Sequence, residues 1–175
     1  MTDLYEKIGP GFNHKNALVL GAGGSARSVV IGLLSAGWHV VVSARKVEQA
    51  QNLVAQLTPW SREEHLNILD LSLNGLQNKM ENFGLLVNTT PAGMAPQLLA
   101  DPLPGGLEIP RGQVLYDLVY NPPMTPLMKR YQDAENAAFN GLGMLVEQAA
   151  RAFELWTGMH VSREDLWKAI ETENR

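Results

Sequence analysis

Gly21-Ala22-Gly23-Gly24-Ser25-Ala26 follows the spacing G-x-G-x-x-G/A, in which each small residue has a steric task. Gly21 permits a tight turn, Gly23 lets the backbone approach a pyrophosphate, and Ala26 lets the helix that follows lie close to a sheet. The free amide hydrogens and the positive dipole end at the start of that helix complement phosphate charge. The same six residues also occur as a merely structural glycine turn. A dinucleotide site requires that they follow a strand and open a helix.

The residues about one strand further on choose between dinucleotides. A site for NAD usually has Asp or Glu roughly 20 residues beyond the glycines, accepting hydrogen bonds from the ribose hydroxyls. Here the chain reads Ser43-Ala44-Arg45-Lys46. A carboxylate would repel a 2′-phosphate. Arg45 instead offers two charge-assisted hydrogen bonds and Lys46 a point charge, so the spacing favours NADP. The competing reading is a solvated basic pair at a helix start, where cations are slightly unfavourable.

The elements needed to position these groups are legible around them. Ala17-Leu18-Val19-Leu20 is a continuous apolar run stopped by glycines, the pattern of a strand buried on both faces. From Ser25 to Ala36, the residues Ala26, Val29, Val30, Leu33 and Leu34 make one helical stripe that stops at Gly37. His39 to Ser43 is β-branched and reads as a second strand, parallel to the first by a right-handed crossover. Lys46 to Leu57 reads as a helix with Val47, Ala50, Val54 and Leu57 on one face, ended by Pro59. The alternation continues with strands at Leu66 to Leu69 and Leu85 to Asn88, separated by a polar helix or turn from Leu73 to Glu81. Pro91 to Gly112 is rich in proline and glycine and reads as a long ordered loop, at the sheet edge where such folds carry function. A fifth strand at Val114 to Leu118, a helix from Thr125 to Asp133 and a short sixth strand at Ala137 to Asn140 follow. Two helices close the chain. The first, Gly143 to Trp156, has a stripe of Leu145, Ala149, Ala152, Phe153 and Trp156; the second is capped by Ser162 with Asp165 three residues on and runs through Leu166 and Ile170. The expected fold is α/β, a Rossmann-like doubly wound, mostly parallel sheet, with residues 1–16 as a lead-in and 17–175 as the nucleotide-binding domain.

The 175 residues, 45% of them apolar, suit one core. Fourteen basic against 18 acidic residues leave a net charge of -4, which provides no field for nucleic acid. With no cysteine, disulfides, a thiolate nucleophile and a thiolate zinc site are excluded. No stretch has the length of a signal peptide core or a membrane span, so no membrane partner and a cytoplasmic setting are the expectation. His14, His39, His65 and His160 are scattered without metal-ligand spacing, and His39 falls in a strand expected to be buried, so no metal site is expected.

Four ordered segments resemble the shikimate dehydrogenase family, specifically its cofactor-binding domain and closing helices. Gly21-Ala22-Gly23-Gly24 is similar to its diglycine fingerprint. Asn88-Thr89-Thr90-Pro91-Ala92-Gly93-Met94 is similar to the segment after its fourth strand. Asp117-Leu118-Val119-Tyr120, with Pro122 and Thr125, is similar to the segment after its fifth. Gly141-Leu142-Gly143-Met144-Leu145-Val146-Glu147-Gln148, then Phe153, Trp156, Thr157 and Gly158, is similar to its closing helix. The resemblance implies NADP-dependent interconversion of 3-dehydroshikimate and shikimate. It implies that Asn88, Thr89 and Thr90 line the cofactor on its nicotinamide side, that Gly143 faces the nicotinamide, and that Leu118 is among the cofactor contacts. Tyr120 and Gln148 would reach toward the polar substrate, and Arg45 would hold the 2′-phosphate. The family's usual Asn-Arg-Thr is here Ala44-Arg45-Lys46, a departure at the adenosine end.

Structural readings stand beside these. Tyr120 as a loop wedge, Asn88 as a strand-end cap and Gln148 as a solvated amide each fit the sequence, and Asp117 is expected to tie down its own turn. Ketone reduction by hydride needs a proton donor, which this family supplies as lysine and aspartate from a preceding substrate domain. That domain is expected to be missing here. Thr2-Asp3 matches the end of the family's Asn-Thr-Asp segment, which makes Asp3 the one candidate catalytic residue; against it, the distance to Gly21 is short and no lysine precedes it. The expected behaviour is NADP binding with little or no turnover alone, and partnership with a shikimate-class substrate, a separate substrate domain or a second copy. The alternatives are a non-catalytic NADP-sensing module and the cofactor half of a related dehydrogenase, such as one for quinate.

Overall fold

The computed structural model describes residues 2–9, 12, 14–60 and 63–173. The apolar run reads out as strand β1 (Asn16–Leu20), every residue from Ala17 onward being buried. Its side chains alternate between two cores: Ala17 and Val19 join one, Leu18 and Leu20 the other. That two-sided burial is why the run is continuously apolar instead of alternating. Helix α2 (Gly24–Ser35) buries Ala26, Val30 and Leu33 on the first core and gives way at Gly37 to β2 (His39–Ser43). Helix α3 (Val47–Leu57) buries Ala50, Leu53 and Leu57. Leu53 takes the place expected for Val47, which is exposed at the helix start.

Strand β3 (Leu66–Ile68), the short helix α4 (Leu73–Leu76) and β4 (Leu85–Asn88) follow. Ser72 caps α4 by accepting from Gly75 N at 3.0 Å. Next come β5 (Val114–Asp117), α5 (Pro126–Asp133) and β6 (Ala137–Phe139). All pairings are parallel and the spatial order is β3-β2-β1-β4-β5-β6. This is a Rossmann-like sheet whose order reverses between β1 and β4, opening a crevice at the carboxyl ends of those two strands.

Two expectations need correction. His39 is exposed at the mouth of β2, where its ring lies 4.2 Å from that of His65; the strand buries Val40, Val42 and Ser43. The closing helix α6 (Leu142–Thr157) buries Gly143, Val146 and Ala150, not the larger stripe. Small residues face inward because α6 must lie close to its neighbours, and Phe153, Leu155 and Trp156 are left outside, Trp156 at 85% exposure. Residues Thr2–Ile8 of the lead-in form a helix, α1, whose Leu4 is buried in the first core while Tyr5 and Ile8 pack against it. Helix α1 lies against α6. Helix α7 (Arg163–Glu173) begins after Ser162, whose hydroxyl accepts from Asp165 N at 3.4 Å. It is tied to α6 by Arg163, which contacts Glu154 at 2.6 Å and Glu147 at 3.5 Å. No helix among the described residues is long and apolar enough to cross a membrane.

Candidate nucleotide site

The turn after β1 is clamped from both sides. Gly21 N donates to Ser43 O at the end of β2 (2.8 Å), while Thr89 donates to Leu20 O through both its amide (2.9 Å) and its hydroxyl (2.6 Å). Gly21 has φ +105°, and a Cβ there would stand 2.5 Å from Thr89 Oγ1. Glycine is therefore demanded twice, by backbone conformation and by the close passage of the β4 loop. Gly23 is the N-cap of α2 and has no side chain to offer, so the first-turn amides are left to an incoming acceptor. A Cβ on Gly23 or Gly24 would meet nothing within 4 Å. The turn thus opens to solvent where a phosphate has to approach, and Ala26 behind it is fully buried against the sheet.

A cleft of about 720 Å3 brings together Gly21, Ala22, Gly23, Ala44, Arg45, Lys46, Thr89 and Thr90. Arg45 and Lys46 are exposed there, and among the described residues neither makes an ion pair. The long loop folds back over the same cleft, contributing Pro91, Ala92, Gln97, Ala100, Asp101 and Pro102. Arg130 of α5 pins that loop, reaching Asp101 Oδ2 at 3.1 Å, Pro104 O at 3.2 Å and also Leu107 O. Asp101, the carboxylate of the cleft lining, is thereby paired with a cation, so the balance facing a ligand is positive. Asp101 and Arg130 were not singled out from sequence. Their roles depend on where a long, aperiodic loop comes to rest, and no local pattern reports that.

A second cleft, of about 510 Å3, lies across the turn and takes in Gly24, Ser25, Leu118 and Gln148, together with Thr2, Asp3, Met144, Glu147 and Arg151. Met144 and Glu147 stand inside the segment already noted for its resemblance. The two clefts flank the glycine turn, one receiving Gly21 to Gly23 and the other Gly24 and Ser25.

Four of the expected residues serve behind these openings or beside them. Asn88 is fully buried: its Nδ2 donates to Asp117 Oδ1 at 2.8 Å, and its Oδ1 accepts from Thr90 N (3.0 Å) and the Thr90 hydroxyl (2.7 Å). It shapes the Thr89-Thr90 wall from beneath. Asp117 accepts from Asn88, from Val119 N at 3.1 Å and from the Thr125 hydroxyl at 2.7 Å, holding its own turn and the start of α5. Burial pushes its carboxyl above the usual range, with the three hydrogen bonds acting the other way. Gly143 is covered by the carboxylate of Asp3, which accepts from the Tyr116 hydroxyl; a Cβ on Gly143 would fall inside that carboxylate. Burial and the neighbouring Asp3 both push the Tyr116 phenol up, so it stays a donor. Tyr120 is 43% exposed and lines neither cleft. Among the described residues no three His, Asp or Glu side chains gather as a metal site would require.

The shikimate/quinate 5-dehydrogenase family matches residues 3–95, and the C-terminal domain of shikimate 5′-dehydrogenase matches residues 141–171. An NADP(+) shikimate dehydrogenase of Methanocella arvoryzae is 36% identical over 157 residues, which cover 90% of this chain and 56% of that protein. The structure of a shikimate 5-dehydrogenase from Thermus thermophilus, in complex with NADP(H) and shikimate, superposes with a TM-score of 0.74 at 33% identity. The match covers 89% of this chain and 54% of that one. A shikimate 5-dehydrogenase from Listeria monocytogenes, in complex with shikimate and NAD, superposes at 0.83 over 94% of this chain and 58% of that one. Its 24% identity makes that a likeness of fold. The chain spans a little over half the length of the relatives it matches. Because a single family pattern runs through more than half of its residues, from α1 across the glycine turn to the loop after β4, the chain belongs to the shikimate/quinate 5-dehydrogenase family.

Proposed function

We propose that this chain binds NADP across the glycine turn and acts as the cofactor half of a dehydrogenase that interconverts 3-dehydroshikimate and shikimate. The observation that carries the reading is the placement of exposed Arg45 and Lys46 in one open cleft with the glycine turn. The α2 amides would hold the phosphates of a dinucleotide, Arg45 and Lys46 its 2′-phosphate, and Leu118 and Gln148 of the second cleft its nicotinamide end. The names of the relatives in Methanocella and Thermus support the same choice of cofactor and substrate class. When bound, the cofactor would give the hydride to the ketone in reduction and take it from the alcohol in oxidation. This chain's residues bind and orient it, while Tyr116 and Gly143 hold Asp3 in a buried contact at the edge of the second cleft.

The proposal has two parts, each with its own measurement. Calorimetric titration should show tighter binding of NADP than of NAD, and Arg45→Ala should weaken NADP by at least about tenfold, the worth of one charge-assisted pair, while sparing NAD. An unchanged preference in Arg45→Ala defeats the cofactor assignment. With shikimate and NADP, absorbance of the reduced nicotinamide should rise very slowly or not at all for the chain alone, and should rise once a substrate domain is supplied. Brisk turnover by the chain alone defeats the half-enzyme reading. The exposed Phe153, Leu155, Trp156 and Met159 support a contact with a substrate domain or with a second copy.

A further inference from the structure

We infer that Arg27 is a second guanidinium for the 2′-phosphate, and so a determinant of cofactor choice; this rests on the NADP reading above. Arg27 lies one turn into α2 and faces a hollow of about 240 Å3 that it shares with Asn52 and Gln56 of α3. Ala22, Gly23 and Gln49 belong both to this hollow and to the larger cleft of Arg45 and Lys46, so the two are continuous over the turn. None of these residues lines the cleft on the other side of the turn. That places Arg27 with the ribose phosphate and away from the nicotinamide end.

The partner of Arg27 makes its charge available. Its Nη2 donates to Gln56 Oε1, a neutral amide. Among the described residues no carboxylate pairs with it, whereas Arg111, Arg130, Arg151 and Arg163 are each paired with one. An arginine held by a carboxylate is largely neutralised; one held by an amide is oriented while keeping its full charge and its other N–H donors. Gln56 thus acts as a positioning residue, restricting a long side chain before the ligand arrives. A dianionic phosphate monoester between Arg27 and Arg45 would receive forks from two directions, which a ribose hydroxyl cannot exploit.

Titration of Arg27→Ala, Arg27→Lys and Gln56→Leu with NADP and with NAD, beside the parent chain, tests the assignment. Arg27→Ala should weaken NADP about tenfold and leave NAD within about twofold, with an unchanged melting temperature because the residue is exposed. Arg27→Lys should recover part of the loss, restoring charge without the fork, and Gln56→Leu should lose less than Arg27→Ala. Equal losses for the two nucleotides would move Arg27 to the pyrophosphate and overturn the inference, as would an unaltered NADP affinity. A parent chain that fails to bind NADP would instead bring down the reading on which the inference stands, and the inference with it.

Discussion

Replacing Gly21 by alanine tests whether the turn is held by the β4 loop as the geometry describes. An alanine at φ +105° is forced out of its favoured regions, a cost of about 1–2 kcal/mol. Its Cβ would also stand 2.5 Å from Thr89 Oγ1 and 3.2 Å from Thr90 Cγ2. The Thr89 hydroxyl must then swing away and give up its 2.6 Å bond to Leu20 O, adding about 1 kcal/mol. The sum, about 2–3 kcal/mol, corresponds to a fall of about 4–12 °C in melting temperature for a chain of this size. The steric part is separable. In a Thr89→Ala background the obstructing oxygen is gone, leaving the backbone cost and the milder 3.2 Å approach of Thr90 Cγ2. Gly21→Ala should then cost about 1 kcal/mol less than in the parent, a coupling that a double-mutant cycle by thermal or urea unfolding resolves. An equal cost in both backgrounds would refute the close passage of Thr89, and a cost below about 0.5 kcal/mol would refute the conformational demand as well.

Two other perturbations probe the elements around the site. Gly143→Ala puts a methyl where the Asp3 carboxylate lies, so that side chain must give up its place beside Tyr116 and loosen α1 from α6 at a cost of about 1–3 kcal/mol, read as faster amide exchange in residues 2–8. Asp3→Ala added to it should restore part of the protection; full protection in Gly143→Ala alone would contradict the contact. Asp117 has its carboxyl raised chiefly by burial, so the folded chain holds that proton more tightly than the unfolded one. Its favourable contribution is complete below the ordinary carboxylate pKa and is lost as pH rises through the raised one. Asp117→Asn has no such titration, so the parent should lose stability relative to that variant as pH climbs out of the ordinary carboxylate range, followed by melting temperature. A difference that stays flat with pH would remove burial as the dominant influence.

The glycine spacing, the basic pair Arg45-Lys46 and the order of strands and helices from β1 onward are readable in the sequence, as is the resemblance to one dehydrogenase family. These are local signals. A strand buried on both faces has to be apolar throughout, and a turn that receives a phosphate has to be built of small residues, so a few consecutive positions declare each. What required the folded molecule is the set of contacts between distant segments. Asp3 meets Tyr116 across 113 positions, Arg130 gathers the loop around Asp101, and Asn88 turns inward to Asp117 instead of outward to the cleft. The direction of α6 belongs to the same group: periodicity marks a helix with an apolar stripe, yet the face that packs is chosen by how close α1 and the sheet can come. Helical period and glycine spacing repeat within a few residues, and sequence records them directly. Which apolar face finds a neighbour, and which arginine finds a carboxylate or only an amide, depends on distances that exist once the chain has closed on itself.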